Sequence, residues 1–76
     1  MKTKKFKYIK KGTEEIKDYN VLILNETTTH FAGIDLNKLS DEEQKKVLEI
    51  QQKYEEDLYP YTKTAYRQFI IENVVS

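Results

Sequence analysis

The sequence predicts a single α+β domain, residues 1–76, in which one helix covers a small sheet. Two observations predict this class: a well-capped helical stretch over about residues 40–58, and strand-like sequence on both sides of it. A chain of 76 residues is near the lower size limit for folding without disulfides or bound metal. The sequence contains no cysteine, so core burial or self-association has to supply the stability.

The predicted helix has signals at both ends. Ser40 followed three residues later by Glu43 is the capping-box pattern of a helix start. Pro60 predicts the end of the helix, because the residue before a proline is biased out of the α region. Residues 61–65 are then expected to form one helical turn or a loop. A stripe at steps of three and four lies on one helix face: Val47, Ile50, Gln51, Tyr54 and Leu58.

The first predicted strand and its turn form half of a β-hairpin. Residues 4–10 alternate in character, which places Phe6 and Tyr8 on one face of a half-buried strand. Gly12 follows in a turn, where it is free to adopt a positive φ. Only a few residues separate this strand from the next, so the two are expected to pair as a hairpin.

Two further strands are predicted before the helix. Residues 15–24 end in a continuous aliphatic run that is typical of a central strand, and the change of phase near Asp18 indicates a bulge or bend. Residues 28–36 form the third strand. Gly33 within it indicates a bend or a close approach of two backbones.

The last predicted strand, residues 65–74, is expected to close beside the first. A helix is the competing interpretation, because short apolar runs do not distinguish the two. The resulting order is β-β-β-α-β. A bent three-stranded meander, one helix and a closing strand fit a small SH3-like or Sm-like, partly open β-barrel.

Charge is unevenly distributed along a chain of zero net charge. Residues 1–25 contain seven lysines and three carboxylates, and the remaining residues have an acidic excess. A basic first third is compatible with an edge that binds polyanions, or with a charged strand whose lysines prevent aggregation. The sequence shows no secretory signal and no apolar run long enough for a bilayer, so a cytoplasmic location is expected.

Residues with catalytic or metal-binding potential are sparse. His30 is the only histidine, and the spacing selects no nucleophile or carboxylate beside it. The sequence has no cluster of metal ligands and no glycine-rich phosphate loop. The acidic run of residues 55–57 is either a contact for a cation or partner, or a solvated face. We therefore expect a protein that is not an enzyme and needs no cofactor or metal.

Aromatic and basic side chains occur together in two segments. If the first and last strands pair, Phe6 and Tyr8 approach the rings and cations of the C-terminal segment. Rings that stack on bases, beside cations that meet phosphates, are typical of proteins that bind single-stranded nucleic acid. The alternative is that most of these rings fill the core of a small domain without tryptophan. The predicted ligand-binding residues are Lys5, Lys7, Tyr8, Lys10, Tyr66 and Arg67.

The C-terminal segment also resembles a known family. Residues 65–74, with Arg67-Gln68-Phe69 before a final apolar strand, look like the closing segment of WYL-type domains, and residues 6–12 are similar to their start. The resemblance implies an Sm-like, SH3-type barrel that senses nucleic acids or nucleotide-like ligands, with Arg67 facing the ligand and Phe69 packed beside it. Residues 29–33 stand where that family has its Trp-Tyr-Leu tripeptide. The composition is also similar to that of small proteins of Gram-positive phages and mobile elements.

A protein-interaction or homo-oligomeric structural module is the alternative function. In that case the helix stripe is only partly used within the chain, and Val74 and Val75 extend a sheet across an interface. The predicted partner contacts are Val47, Gln51, Tyr54 and Leu58.

Overall fold

A five-stranded antiparallel sheet with two helices forms the protein, as seen in a computed structural model that describes residues 3–10, 12–50 and 58–75. The α+β class is therefore confirmed. In chain order the elements are β1 Thr3–Ile9, β2 Ile16–Glu26, β3 His30–Asp35, a 3₁₀ helix Leu36–Lys38, α1 Asp41–Ile50, α2 Tyr59–Ala65, β4 Tyr66–Ile70, a second 3₁₀ helix Ile71–Asn73 and β5 Val74–Val75.

The sheet has the strand order β4-β3-β2-β1-β5, and all of its neighbouring strands are antiparallel. β4 and β5 lie at opposite edges and do not pair with each other over the described residues. The sheet is therefore not closed into a barrel.

The start of α1 confirms the predicted capping box. The Ser40 N–H donates to Glu43 Oε1 at 3.1 Å, and the Glu43 N–H donates to Ser40 Oγ at 3.2 Å. Gln44 adds a second anchor, because its side-chain amide donates to the carbonyl oxygens of Leu36 at 2.8 Å and Leu39 at 3.2 Å. These bonds fix the first turn of α1 against the preceding 3₁₀ helix.

Pro60 lies at the start of a second helix and is not the stop signal that the sequence predicts. α1 is described to Ile50, and residues 51–57 of the predicted helix lie outside the described residues. Pro60 lies in the first turn of α2, where its missing N–H has no intrahelical partner to lose and its fixed φ suits the helix. The prediction of a helical turn over residues 61–65 is confirmed by α2.

The hairpin of β1 and β2 is confirmed, but the predicted bulge near Asp18 is wrong. Asp18 pairs regularly with Lys7, and the register shift lies between Ile23 and Asn25, on the side of β2 that pairs with β3. Ile16 is exposed, so it does not have to share a face with the buried Tyr19. The change of phase along the sequence therefore needed no bend.

The predicted last strand is divided into two. β4 pairs with β3, and the second 3₁₀ helix then carries the chain to β5, which pairs with β1 through Val75 opposite Lys7 and Val74 opposite Tyr8. The predicted pairing of the last strand with the first is confirmed for Val74 and Val75 only. The rings and cations of β4 lie at the opposite edge of the sheet.

The two faces of the sheet are covered differently, because consecutive residues of a strand point to opposite sides. One face carries an aromatic cluster, formed by Phe6, Tyr8, Tyr19, Val21, Ile23, Phe31 and Phe69. The other face packs against the helices through a helix cluster, formed by Leu22, Ile34, Leu36, Leu39, Val47, Leu58 and Ala65. Full burial of one aliphatic side chain contributes about 1.5–3 kcal/mol, so both clusters stabilise the small domain.

Gly33 makes the close backbone approach that its position predicts. A Cβ atom on Gly33 would overlap the carbonyl oxygen of Leu22 and lie 2.8 Å from the Leu22 carbonyl carbon. Both are backbone atoms of a central strand, so neither can move aside as a flexible side chain does. Gly12, with φ of 80°, has open space around its Cα instead.

We expect Gly33→Ala to lower the free energy of unfolding by more than about 3 kcal/mol, because the added methyl group forces β3 away from β2. Urea unfolding followed by circular dichroism measures the change. Gly12→Ala is the matched control, and it should cost about 1 kcal/mol through its positive φ alone. Equal losses for the two variants would contradict the steric argument.

Candidate functional site

The aromatic cluster is a set of rings in direct contact. Phe6 stacks on Tyr19 with ring centres 5.7 Å apart, and Phe31 stacks on Phe69 at 5.4 Å. Phe6 and Phe69 join these two pairs edge to face at 5.0 Å. Such pairs contribute about 0.5–1.5 kcal/mol each beyond their buried area. The rings therefore form a rigid platform on one face of the sheet.

Three cations lie over these rings. Lys4 Nζ is 4.9 Å from the centre of the Phe31 ring, and Lys17 Nζ is 5.6 Å from that of Tyr19. The Arg67 guanidinium carbon lies 4.9 Å from the Tyr19 ring centre and 5.2 Å from that of Phe69. Two rings thus hold the half-buried Arg67 side chain by cation–π attraction, which fixes its position before any ligand arrives.

A cleft lies where the sheet is left open between β4 and β1. The Tyr8 hydroxyl accepts a hydrogen bond from the Ile70 N–H at 3.1 Å, which is a side-chain link between these two strands. The space beside this link has a volume of about 420 Å³. We name it the seam cleft and define it by its lining residues Tyr8, Lys10, His30, Arg67, Gln68, Ile70 and Asn73.

The seam cleft is basic. Lys10, His30 and Arg67 line it, and the described lining residues include no aspartate or glutamate. His30 enters because β3 places it opposite Ile70. Its Nδ1 lies 2.7 Å from Thr29 Oγ1, and among the described residues no hydrogen bond engages the other ring nitrogen. When the Thr29 hydroxyl donates to Nδ1, the ring proton is on Nε2 and can be donated to an anion.

The structure divides the six predicted ligand-binding residues between surfaces. Tyr8, Lys10 and Arg67 line the seam cleft together. Tyr8 is only 7 % exposed, so its ring belongs to the core and its hydroxyl carries the contact with Ile70. Tyr66 is 48 % exposed and precedes Arg67 in β4, so it points to the other side of the sheet.

Lys5 and Lys7 line a separate groove of about 480 Å³ on β1 and β2. In the register of these strands Lys7 lies opposite Asp18, and Lys5 opposite Asn20. Asp18 also lines the groove and offsets part of its positive charge. Asn20 Oδ1 is buried without a hydrogen-bond partner among the described residues. This groove is therefore less suited to a polyanion than the seam cleft.

The residues predicted to contact a protein partner are not available as a set. Val47 and Leu58 are fully buried in the helix cluster, because they cover the sheet of their own chain. Gln51 and Tyr54 lie outside the described residues. Val74 and Val75 pair with β1 of the same chain rather than offering a free strand. Large exposed hydrophobic side chains occur elsewhere, at Ile16, Tyr59, Tyr66 and Ile71.

His30 is a basic residue of the cleft to which the sequence assigned no role. Only the pairing of β3 with β4 brings it near Lys10 and Arg67, and no motif signals that pairing. Within residues 3–10, 12–50 and 58–75, no three His, Asp or Glu side chains are grouped so that they could hold a metal ion. Over the same residues, no helix has the length and apolar character needed to cross a membrane.

We expect Tyr8→Phe to lower the free energy of unfolding by about 1–2 kcal/mol, because it keeps the buried ring but leaves the Ile70 N–H without its partner. Amide hydrogen exchange should accelerate at Ile70. Tyr59→Phe is the matched control, since Tyr59 is 68 % exposed and should change neither quantity. An unaltered exchange rate at Ile70 in Tyr8→Phe would contradict the assignment of this bond.

Comparisons of the chain with family models, curated proteins and solved structures find no match. The geometry of the seam cleft is therefore the basis on which a function is assigned.

Proposed function

We propose that the protein is a non-enzymatic binding module whose ligand is nucleic acid, preferably single-stranded. The observation that supports this most is the seam cleft, in which Lys10, His30 and Arg67 meet without a carboxylate among the described lining residues. Basic side chains grouped without acidic neighbours favour phosphate groups, which dominate the affinity of proteins for nucleic acid.

Arg67 suits a single strand in particular. Its guanidinium lies over Tyr19 and Phe69, and the side chain remains half exposed. Unpaired bases stack on guanidinium planes as they do on aromatic rings, whereas the bases of a duplex are stacked on one another and do not offer their faces. Base stacking contributes roughly 1–3 kcal/mol per base, so one base stacked on Arg67 adds to the affinity that the phosphate contacts supply.

The proposed architecture is a partly open SH3-like or Sm-like barrel. It is supported by the 3₁₀ helix Ile71–Asn73, which joins the two edge strands, and by the Tyr8 hydroxyl that bonds to Ile70 across the opening. The resemblance to WYL-type domains belongs to the same proposal. It implies a ligand-facing Arg67 beside Phe69, and the contact between these side chains suits that arrangement. A phage or mobile-element origin and a cytoplasmic location remain predictions.

We expect labelled single-stranded DNA or RNA to bind with a micromolar Kd at low salt, and duplexes to bind more weakly. Fluorescence anisotropy measures both. Arg67→Ala should weaken single-strand binding by about tenfold, through loss of a phosphate contact and a stacking surface. Lys10→Ala should reduce the salt dependence by roughly one counterion.

Lys45→Ala is the matched control for charge, because Lys45 is exposed on α1, which packs against the opposite face of the sheet. It should bind like the parent chain. Absence of any anisotropy change with tens of micromolar protein at low salt would overturn the proposal. If binding vanishes with salt and Arg67→Ala, Lys10→Ala and Lys45→Ala weaken it equally, the chain attracts nucleic acid only through its overall charge. That result would contradict a specific site in the seam cleft.

A homo-oligomeric or protein-interaction module is the second candidate, and exposed apolar side chains favour it. Tyr59 is 68 % exposed and Ile71 is 40 % exposed, which gives a partner apolar surface that the chain itself does not cover. Under this alternative, light scattering should show a mass that rises with concentration, and Tyr59→Ser should lower it. A monomer at all concentrations would contradict self-association.

A further inference from the structure

We propose that the seam cleft binds the phosphorylated end of a strand, a terminal phosphomonoester, in preference to the phosphodiesters within it. This inference rests on the proposed function and specifies which part of the nucleic acid enters the cleft. Two observations support it: the positive charges gathered in a small volume, and the crossing of the chain that borders the cleft at Asn73.

The charges in the cleft exceed what one phosphodiester neutralises. Lys10 and Arg67 carry two positive charges into a space of about 420 Å³. A phosphodiester carries a single negative charge, whereas a phosphate monoester carries about −1.5 to −2 near pH 7. Because the described lining residues contribute no carboxylate, a doubly charged group balances this cleft better than a singly charged one.

A neutral donor completes the surroundings of such a group. Asn73 lines the same cleft, and its side-chain amide can donate to a phosphate oxygen. A monoester has three terminal oxygens, and the flat fork of Arg67 can engage two of them at once. Arg67 is already held by Tyr19 and Phe69, so little conformational freedom is lost when it binds.

The chain between β4 and β5 borders the seam cleft at Asn73. The 3₁₀ helix Ile71–Asn73 carries the chain from β4 to β5 across the opening, and Asn73 lines the cleft. The bond between the Tyr8 hydroxyl and the Ile70 N–H joins the two sides next to this crossing. We infer that a strand enters from the side of Arg67 and ends beside this crossing, where its terminal phosphate can reach Asn73.

The test compares oligonucleotides of one sequence that carry a 5′-phosphate, a 3′-phosphate or free hydroxyls at both ends. Fluorescence anisotropy at pH 7 and constant ionic strength gives the three Kd values. We expect at least one phosphorylated form to bind about tenfold more tightly than the hydroxyl form, as for a gained charge-assisted contact. Inorganic phosphate should displace it more effectively than chloride at equal ionic strength.

Substitutions in the seam cleft test whether the terminal phosphate binds there. Lys10→Gln and Arg67→Gln should each reduce the phosphorylated strand's advantage to less than about threefold, whereas Lys45→Gln on α1 should leave it intact. Circular dichroism of each variant verifies that the fold is retained. An advantage that survives both cleft substitutions would place the phosphate elsewhere and overturn the inference.

The outcomes separate this inference from the proposed function. Equal affinities for phosphorylated and hydroxyl strands would overturn the inference and leave single-strand binding standing. Absence of binding for all three oligonucleotides would overturn both.

Discussion

The three-residue connection between β4 and β5 is the constraint that shapes the sheet. These strands lie at opposite edges of a five-stranded sheet. Strands are about 4.8 Å apart, so in a flat sheet the two edges would be separated by about 19 Å. The four Cα steps from Ile70 to Val74 span at most about 14 Å even when extended, and here they include a compact 3₁₀ helix. The sheet therefore has to curl until its edges approach each other.

Two features of β2 and β3 permit this curvature. The register of β2 against β3 shifts between Ile23 and Asn25, and Gly33 is the residue paired with Ile23. A bulge bends its strand, and a glycine without a side chain lets the neighbouring backbone approach, so the two features act at the same place. The concave side is then filled by aromatic rings, and the seam cleft is what remains open where the edges do not pair.

The sequence was informative where a local rule decides the structure. The cap of α1 depends on Ser40 and Glu43 alone, and Gly12 and Gly33 are each selected by backbone geometry, so these predictions hold. Pro60 shows the limit of such rules, because a proline is compatible with the start of a helix as well as with its end.

The division of residues 65–75 into two strands depends on tertiary pairing rather than on local sequence. Residues 65–75 contain short apolar runs that fit a strand or a helix equally well, so nothing local marks the crossing at Ile71–Asn73. The candidate site was only partly predictable, because tertiary pairing also decides which residues meet there. Lys10 and Arg67 were selected by their charge, whereas His30 joins them only through the pairing of β3 with β4.

The placement of the rings also determines what kind of binding the proposed function allows. Phe6, Tyr8 and Phe69 are nearly completely buried, because a small domain without tryptophan needs them as core. They cannot then stack on bases. Stacking is left to the open side of Arg67, and Tyr66 faces the other side of the sheet. A ligand of the seam cleft therefore gains most of its affinity from charge, and that affinity should fall steeply with salt.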